Sequence, residues 1–111
     1  MTVPKLKRDV EGGVEVAVLV SPGFGAGWAS WNENTKETLL FHEDLVKLVL
    51  EGKREAVAAL AEEICGDDYL YTGGAADLEV YWVPEGSRFI INEYDGSESL
   101  SLESRFSWSV A

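Results

Sequence analysis

Two periods of apolar residues divide the chain into a helical part and a strand-like part. Residues 16–20 form an uninterrupted apolar run, which predicts a buried central strand over 14–20. Further along, apolar residues recur at spacings of three and four, which predicts helices over 38–52 and 53–65. Each helix is followed or ended by a glycine, the residue that most readily terminates a helix.

After residue 66 the apolar positions follow a period of two, which is typical of strands. The alternation predicts strands over 69–71, 78–83 and 88–94, with further strand-like sequence to the C-terminus. Residues 84–87 read Pro-Glu-Gly-Ser, which predicts a hairpin turn between the second and third of these strands.

The order of elements, β-α-α-β-β-β, predicts the fold class. At 111 residues the chain has the common size of one domain. Helices that precede a series of strands indicate an α+β domain over 14–111, with an antiparallel or mixed sheet and two helices packed on one face. Residues 1–13 are predicted to form a flexible N-terminal arm, because Pro4, mixed charge and the pair Gly12-Gly13 precede the first predicted strand. The arm is basic, because its first eight residues hold three bases and no acid.

Charge is the strongest signal in the composition. Twenty acids against nine bases give a net charge of −11, which argues against direct nucleic-acid binding because phosphate contacts need clustered lysine and arginine. The acidity either serves solubility or favours a basic protein partner. The single cysteine excludes an intramolecular disulfide, and no apolar run is long enough to span a bilayer, so we expect a cytoplasmic protein without membrane contact.

The glycine-rich loop after the first strand suggests a phosphate cradle, but its details do not fit one. Residues 23–28 read Gly-Phe-Gly-Ala-Gly-Trp. A dinucleotide fingerprint needs G-x-G-x-x-G at the start of a helix, and a P-loop needs Gly-Lys-Ser/Thr. The next predicted helix begins about ten residues too late for its N-terminus to reach an anion here. Nucleotide binding by either route is therefore not predicted.

Two interpretations of this loop remain. Its indoles either fold back to cap the core, or they form a recognition surface, because exposed aromatic rings often anchor partners. The candidate ligand- or partner-binding residues are Phe24, Gly25, Gly27, Trp28, Trp31, Asn32, Thr72 and Gly73.

Catalytic chemistry finds little support in the sequence, and neither a catalytic residue, a cofactor nor a resident metal is predicted. His42 is the single histidine and lies near a helix start, where a capping or surface role is the simpler reading. The acidic segment 93–98 reads as a solvated turn, although its carboxylates could bind a hard cation. An enzyme that uses a carboxylate pair, or a metal held by Asp95 and Glu98, is kept as a third hypothesis.

In the loop Ser21–Trp28 with Trp31 and Asn32, and in the segments Tyr71–Gly74, Val83–Gly86 and Glu93–Glu98, the chain resembles a family of small phage and prophage proteins. The similarity covers about residues 14–100. The family has no established activity, so the resemblance implies a context, namely a mobile-element accessory protein inside a bacterial cell.

The first functional hypothesis is therefore a non-enzymatic accessory protein that binds a protein partner, such as a basic host factor, through its acidic surface and aromatic loop. The alternative is a small-ligand protein, for a metabolite or nucleotide, with its pocket at the same loop. A homodimer formed through an exposed strand edge is also compatible with the pattern.

Overall fold

The computed structural model describes residues 3–23, 27–66 and 70–102. The strands are β1 (Lys7–Val10), β2 (Gly13–Val20), β3 (Glu79–Pro84), β4 (Phe89–Tyr94) and β5 (Ser97–Leu102). The helices are α1 (Lys36–Phe41), α2 (Glu43–Leu50) and α3 (Val57–Cys65), and short 3-10 turns span Ala29–Trp31, Glu33–Thr35, Arg54–Ala56 and Ala75–Asp77. The predicted α+β class is confirmed, with the helices between β2 and β3.

The strands form two separate antiparallel sheets. In the first, β2 lies between β1 and β3, with Val16 opposite Val83 and Val18 opposite Tyr81. The second consists of β4 and β5 alone. The last five residues of β2 are all buried, which matches the predicted central strand, because α1 and α2 pack against it.

The predicted flexible arm, residues 1–13, contains a strand in its described part, so that part of the prediction is corrected. All four residues of β1 are exposed, and its polar sequence lacks the alternation that marks a half-buried strand. β1 is held by its antiparallel ladder with β2. Side chains add to it: an Arg8 nitrogen lies 2.7 Å from a Glu15 oxygen, and the guanidinium lies over the Trp82 ring.

The predicted hairpin across residues 84–87 is also wrong in its pairing. The turn itself is present, since the Ser87 N–H donates to the Pro84 carbonyl. However, β3 pairs with β2, and β4 pairs with β5. The β4–β5 hairpin turns at Asp95 and Gly96, which both have positive φ, as tight two-residue hairpins require.

The remaining strand predictions fall partly outside the described chain. Tyr69 in the predicted strand 69–71 lies outside the described residues, and Leu70 and Tyr71 are not in a strand. The strand-like sequence beyond Leu102 also lies outside them.

The predicted helix 38–52 is interrupted at His42, whose ψ of 120° is extended and separates α1 from α2. The interruption allows the N-terminal segment to bond there: the Glu43 N–H donates to the Pro4 carbonyl at 2.9 Å. The imidazole Nδ1 of His42 accepts from the Asp44 N–H at 3.2 Å and so caps α2. His42 thus has the capping role that its position suggested.

The core lies between the helices and β2. Its largest fully buried side chains include Leu19, Leu39, Leu45 and Leu78, and Trp28 lies among them. No helix in the described ranges combines the length and apolarity needed to cross a membrane.

Replacing the capping imidazole should destabilise the fold at the α1–α2 junction. We expect His42→Ala to lower the free energy of unfolding by about 1 kcal/mol, because the Asp44 N–H loses its acceptor. His42→Asn, which supplies another side-chain acceptor, should recover most of the loss. Urea denaturation followed by circular dichroism measures both, and equal stability of the alanine and asparagine variants would contradict the capping role.

Candidate binding site at the glycine- and tryptophan-rich loop

The carboxylate of Glu98 lies at the centre of the loop, although its residue belongs to β5. Glu98 is 2% exposed. Its Oε1 accepts from the Ser21 N–H at 3.1 Å, and its Oε2 accepts from the Trp28 and Ser30 N–H groups at 2.9 and 3.0 Å. The Ser30 hydroxyl donates to the same Oε2 at 2.5 Å. One carboxylate therefore joins the end of β2 to both sides of the following loop.

Within the described residues no lysine, arginine or histidine pairs with Glu98. A carboxylate removed from water needs strong compensation, because desolvation disfavours its charge. Here the compensation comes from backbone and hydroxyl dipoles, which form charge-assisted hydrogen bonds. The Glu98 N–H also donates to the Ser21 carbonyl at 2.8 Å, so Glu98 is bonded to Ser21 through both its main chain and its side chain.

Trp28 belongs to the core. Its side chain is fully buried, and its indole Nε1 donates to the Leu39 carbonyl at 2.9 Å. For Trp28, this agrees with the first of the two interpretations of the loop, in which its indoles fold back to cap the core. Trp28 therefore contributes to the candidate site through its backbone and not through its ring.

Asn32 connects the loop to the segment that follows α3. Its Nδ2 donates to the Tyr71 carbonyl at 2.7 Å, and its Oδ1 accepts from the Tyr71 N–H at 2.7 Å. The same Nδ2 donates to the Trp28 carbonyl at 2.8 Å. The Asn32 amide thus bonds both the N–H and the carbonyl of Tyr71, as the backbone of an adjacent strand would. It joins two segments that are 39 residues apart in sequence.

Trp31 and Tyr71 form an exposed pair of rings above this connection. Their centroids are 4.8 Å apart at an interplanar angle of 50°, and the residues are 41% and 36% exposed. Two glycines make room for them: a Cβ at Gly27 would collide with the Trp31 ring, and one at Gly73 would collide with the Tyr71 ring. We call Trp31, Tyr71, Gly27 and Gly73 the aromatic platform.

The predicted site residues thus fall into three groups. Gly27, Trp31, Asn32 and Gly73 come together at the platform, and the half-buried Thr72 adjoins it, its carbonyl accepting from the Ala75 N–H. Trp28 points into the core. Phe24 and Gly25 lie outside the described residues.

Two important residues were missed by sequence reasoning. Tyr71 was assigned to a short strand, although its place directly before Thr72 and Gly73 was a usable signal. Glu98 was assigned to a solvated turn, and nothing in its local sequence marks it as buried.

The acidic segment 93–98 does not gather its carboxylates at one point. Glu93 Oε2 accepts from the Gly96 N–H at 2.9 Å and closes the hairpin turn, whereas the Glu98 carboxylate accepts from the Ser21 and Trp28 N–H groups. Asp95 is exposed. Among the described residues there is no group of three or more histidine, cysteine, aspartate or glutamate side chains placed to hold a metal ion.

No protein-family model matches the chain, and neither a curated protein nor a solved structure matches it. The resemblance to phage and prophage proteins therefore stays a prediction.

Removing the charge of Glu98 should disrupt the loop. In Glu98→Gln one carboxylate oxygen becomes an NH₂ group. This group then faces a backbone N–H that donated to the oxygen, and neither of the two donors has an acceptor. We expect a loss of about 2–3 kcal/mol in the free energy of unfolding. Urea denaturation followed by tryptophan fluorescence measures it.

Glu93→Gln is the matched control, because Glu93 lies opposite Glu98 in the hairpin but is exposed. Its oxygen can still accept from Gly96, so the change should stay within about 0.5 kcal/mol. Equal effects of the two substitutions would show that the buried carboxylate has no special role in the loop.

Proposed function

We propose that the protein is a non-enzymatic binding protein that engages a protein partner through the aromatic platform. The observation that supports this most directly is the Trp31–Tyr71 pair, two large rings in contact and both partly exposed. Tryptophan and tyrosine are the residues most enriched among the energetic anchors of protein interfaces. Rings that serve only the core would be covered, as Trp28 is.

The platform is held in place before any partner arrives. Asn32 fixes the backbone of Tyr71, and Glu98 fixes the backbone that leads into Trp31. Binding to a surface whose groups are already ordered costs less conformational entropy. The arrangement therefore suits a preformed contact surface better than a loop that folds on binding.

The platform favours a protein partner over a small ligand. In the alternative function, the glycines would expose backbone to a metabolite or nucleotide. Instead, the Trp31 ring lies over Gly27 and the Tyr71 ring lies beside Gly73, where such a ligand would approach. The resulting surface offers ring faces and edges, which suits contact with another protein.

Charge indicates the kind of partner. The chain carries a net charge of −11, and the exposed Glu33 lies two residues after Trp31. An acidic surface steers basic partners towards itself and repels acidic ones. We therefore propose a basic protein. The resemblance to phage and prophage proteins supports a host factor in the bacterial cytoplasm.

A capture experiment tests this proposal. The immobilised protein is exposed to bacterial lysate, and retained proteins are quantified by mass spectrometry. We expect a basic protein that Trp31→Ala fails to retain, because the larger ring of the platform is gone. Raising the salt concentration should weaken retention, since screening shortens the reach of charge to below about 10 Å.

Two further variants make the experiment specific to the platform. Gly27→Ala leaves both rings in the sequence but displaces Trp31, so it should also reduce retention. Tyr81→Ala removes a tyrosine that is 36% exposed, as Tyr71 is, but lies on β3, and it should retain the partner. Equal retention by wild type and Trp31→Ala would refute the proposal.

A further inference from the structure

A groove lies between the N-terminal segment, α1 and the start of β4, and it shares no residue with the aromatic platform. Its volume is about 470 Å³, within the range of sites that hold small molecules. The lining residues that matter here are Lys5, Lys36, Arg88, Phe41, Phe89 and Ile91. The groove thus combines three basic side chains with an apolar surface.

A second cavity of about 230 Å³ adjoins the groove, because both are lined by Lys5, Phe41, Ser87 and Phe89. It adds Lys7, whose Nζ lies 2.5 Å from a Glu85 oxygen.

Basic residues are concentrated along these two cavities, although the chain as a whole is acidic. The two adjoining cavities are lined by four of the eight lysines and arginines in the described residues, and by two acids, Glu37 and Glu85. One of those acids is paired with Lys7. In a chain of net charge −11, the described lining of the groove therefore holds more basic than acidic residues.

The apolar part of the groove is built by two phenylalanines. The rings of Phe41 and Phe89 meet edge to face with centroids 5.9 Å apart. Phe41 is 7% exposed, and the Lys5 Nζ lies 4.4 Å from its ring centroid, so the ring holds the lysine charge at the edge of the groove. Phe89 and Ile91 are half-buried and so keep part of their apolar surface accessible.

We propose that this groove binds a small organic anion with an apolar body. Its carboxylate would lie between Lys5 and Lys36, and its body would pack on the half-buried Phe89 and Ile91. A small molecule fits better than an acidic protein or a nucleic acid, because the repulsion from a chain of −11 grows with the charge of the partner. A monoanion can contact the local basic groups while the acidic chain repels it only weakly.

Octanoate is the probe, and octan-1-ol, which has a chain of the same length without the charge, is its control. In a titration followed by amide NMR we expect octanoate to shift the signals of Phe41, Ser87 and Phe89. Octan-1-ol at the same concentrations should bind more weakly. Octanoate binding should also weaken between about 20 and about 300 mM salt, where screening becomes strong.

Charge-removal variants locate the site. The double variant Lys5→Gln with Lys36→Gln should weaken octanoate binding about fivefold, the effect expected from two exposed cations. Lys47→Gln removes an exposed lysine on α2 that does not line the groove, and it should leave the affinity unchanged. All three lysines are exposed, so thermal melting should show folded variants.

Four results would overturn the proposal: binding of neither octanoate nor 2-naphthoate, equal binding of octanoate and octan-1-ol, an equal loss of affinity in Lys47→Gln, or a polyglutamate peptide that binds more tightly than octanoate. A 2-naphthoate titration separates an aromatic from an alkyl body within the same ligand class. Because the groove and the platform share no residue, Trp31→Ala should leave octanoate binding intact, so the two proposals fail independently.

Discussion

A buried carboxylate needs hydrogen-bond donors, and in this protein that need determines the path of the loop after β2. Glu98 receives N–H groups from Ser21, Trp28 and Ser30, which lie on both sides of the segment that contains the glycines. These donors can meet at one carboxylate only if the two ends of the loop come together. The indole of Trp28 then enters the core, and the 3-10 turn that carries Trp31 follows at once. The buried carboxylate of Glu98 thus helps to position the exposed ring of Trp31.

The two proposed surfaces differ in the sign of charge that they favour. The aromatic platform lies in an acidic chain and suits a basic protein, whereas the groove beside α1 gathers lysine and arginine and suits a small anion. Both depend on contacts between segments distant in sequence. Asn32 brings Tyr71 to Trp31, and the interruption at His42 lets the N-terminal segment carrying Lys5 reach α1. The net charge of the whole chain therefore does not predict which ligand each surface favours.

Local pattern was enough to predict the fold class, because β2 is a continuous apolar run and the helices keep their apolar spacing. It was not enough for the pairing of strands. The turn after Pro84 has the chemistry of a hairpin, yet β3 finds its partner in β2, since tertiary packing overrides a local turn. β1 was missed because all its residues are exposed. Glu98 was missed for a different reason: its partners are main-chain groups, which every residue has, so no side chain marks them in the sequence.

The separation of Glu98 from its donors has a consequence for how the protein is made. The carboxylate lies 77, 70 and 68 residues after the three N–H groups that it accepts from. Contacts between such distant residues form late, because a long stretch of chain must close first. On the ribosome, β2 and its loop emerge well before residue 98 exists. The Ser21, Trp28 and Ser30 N–H groups therefore remain bonded to water until the β4–β5 hairpin has been synthesised, and Glu98 then replaces that water.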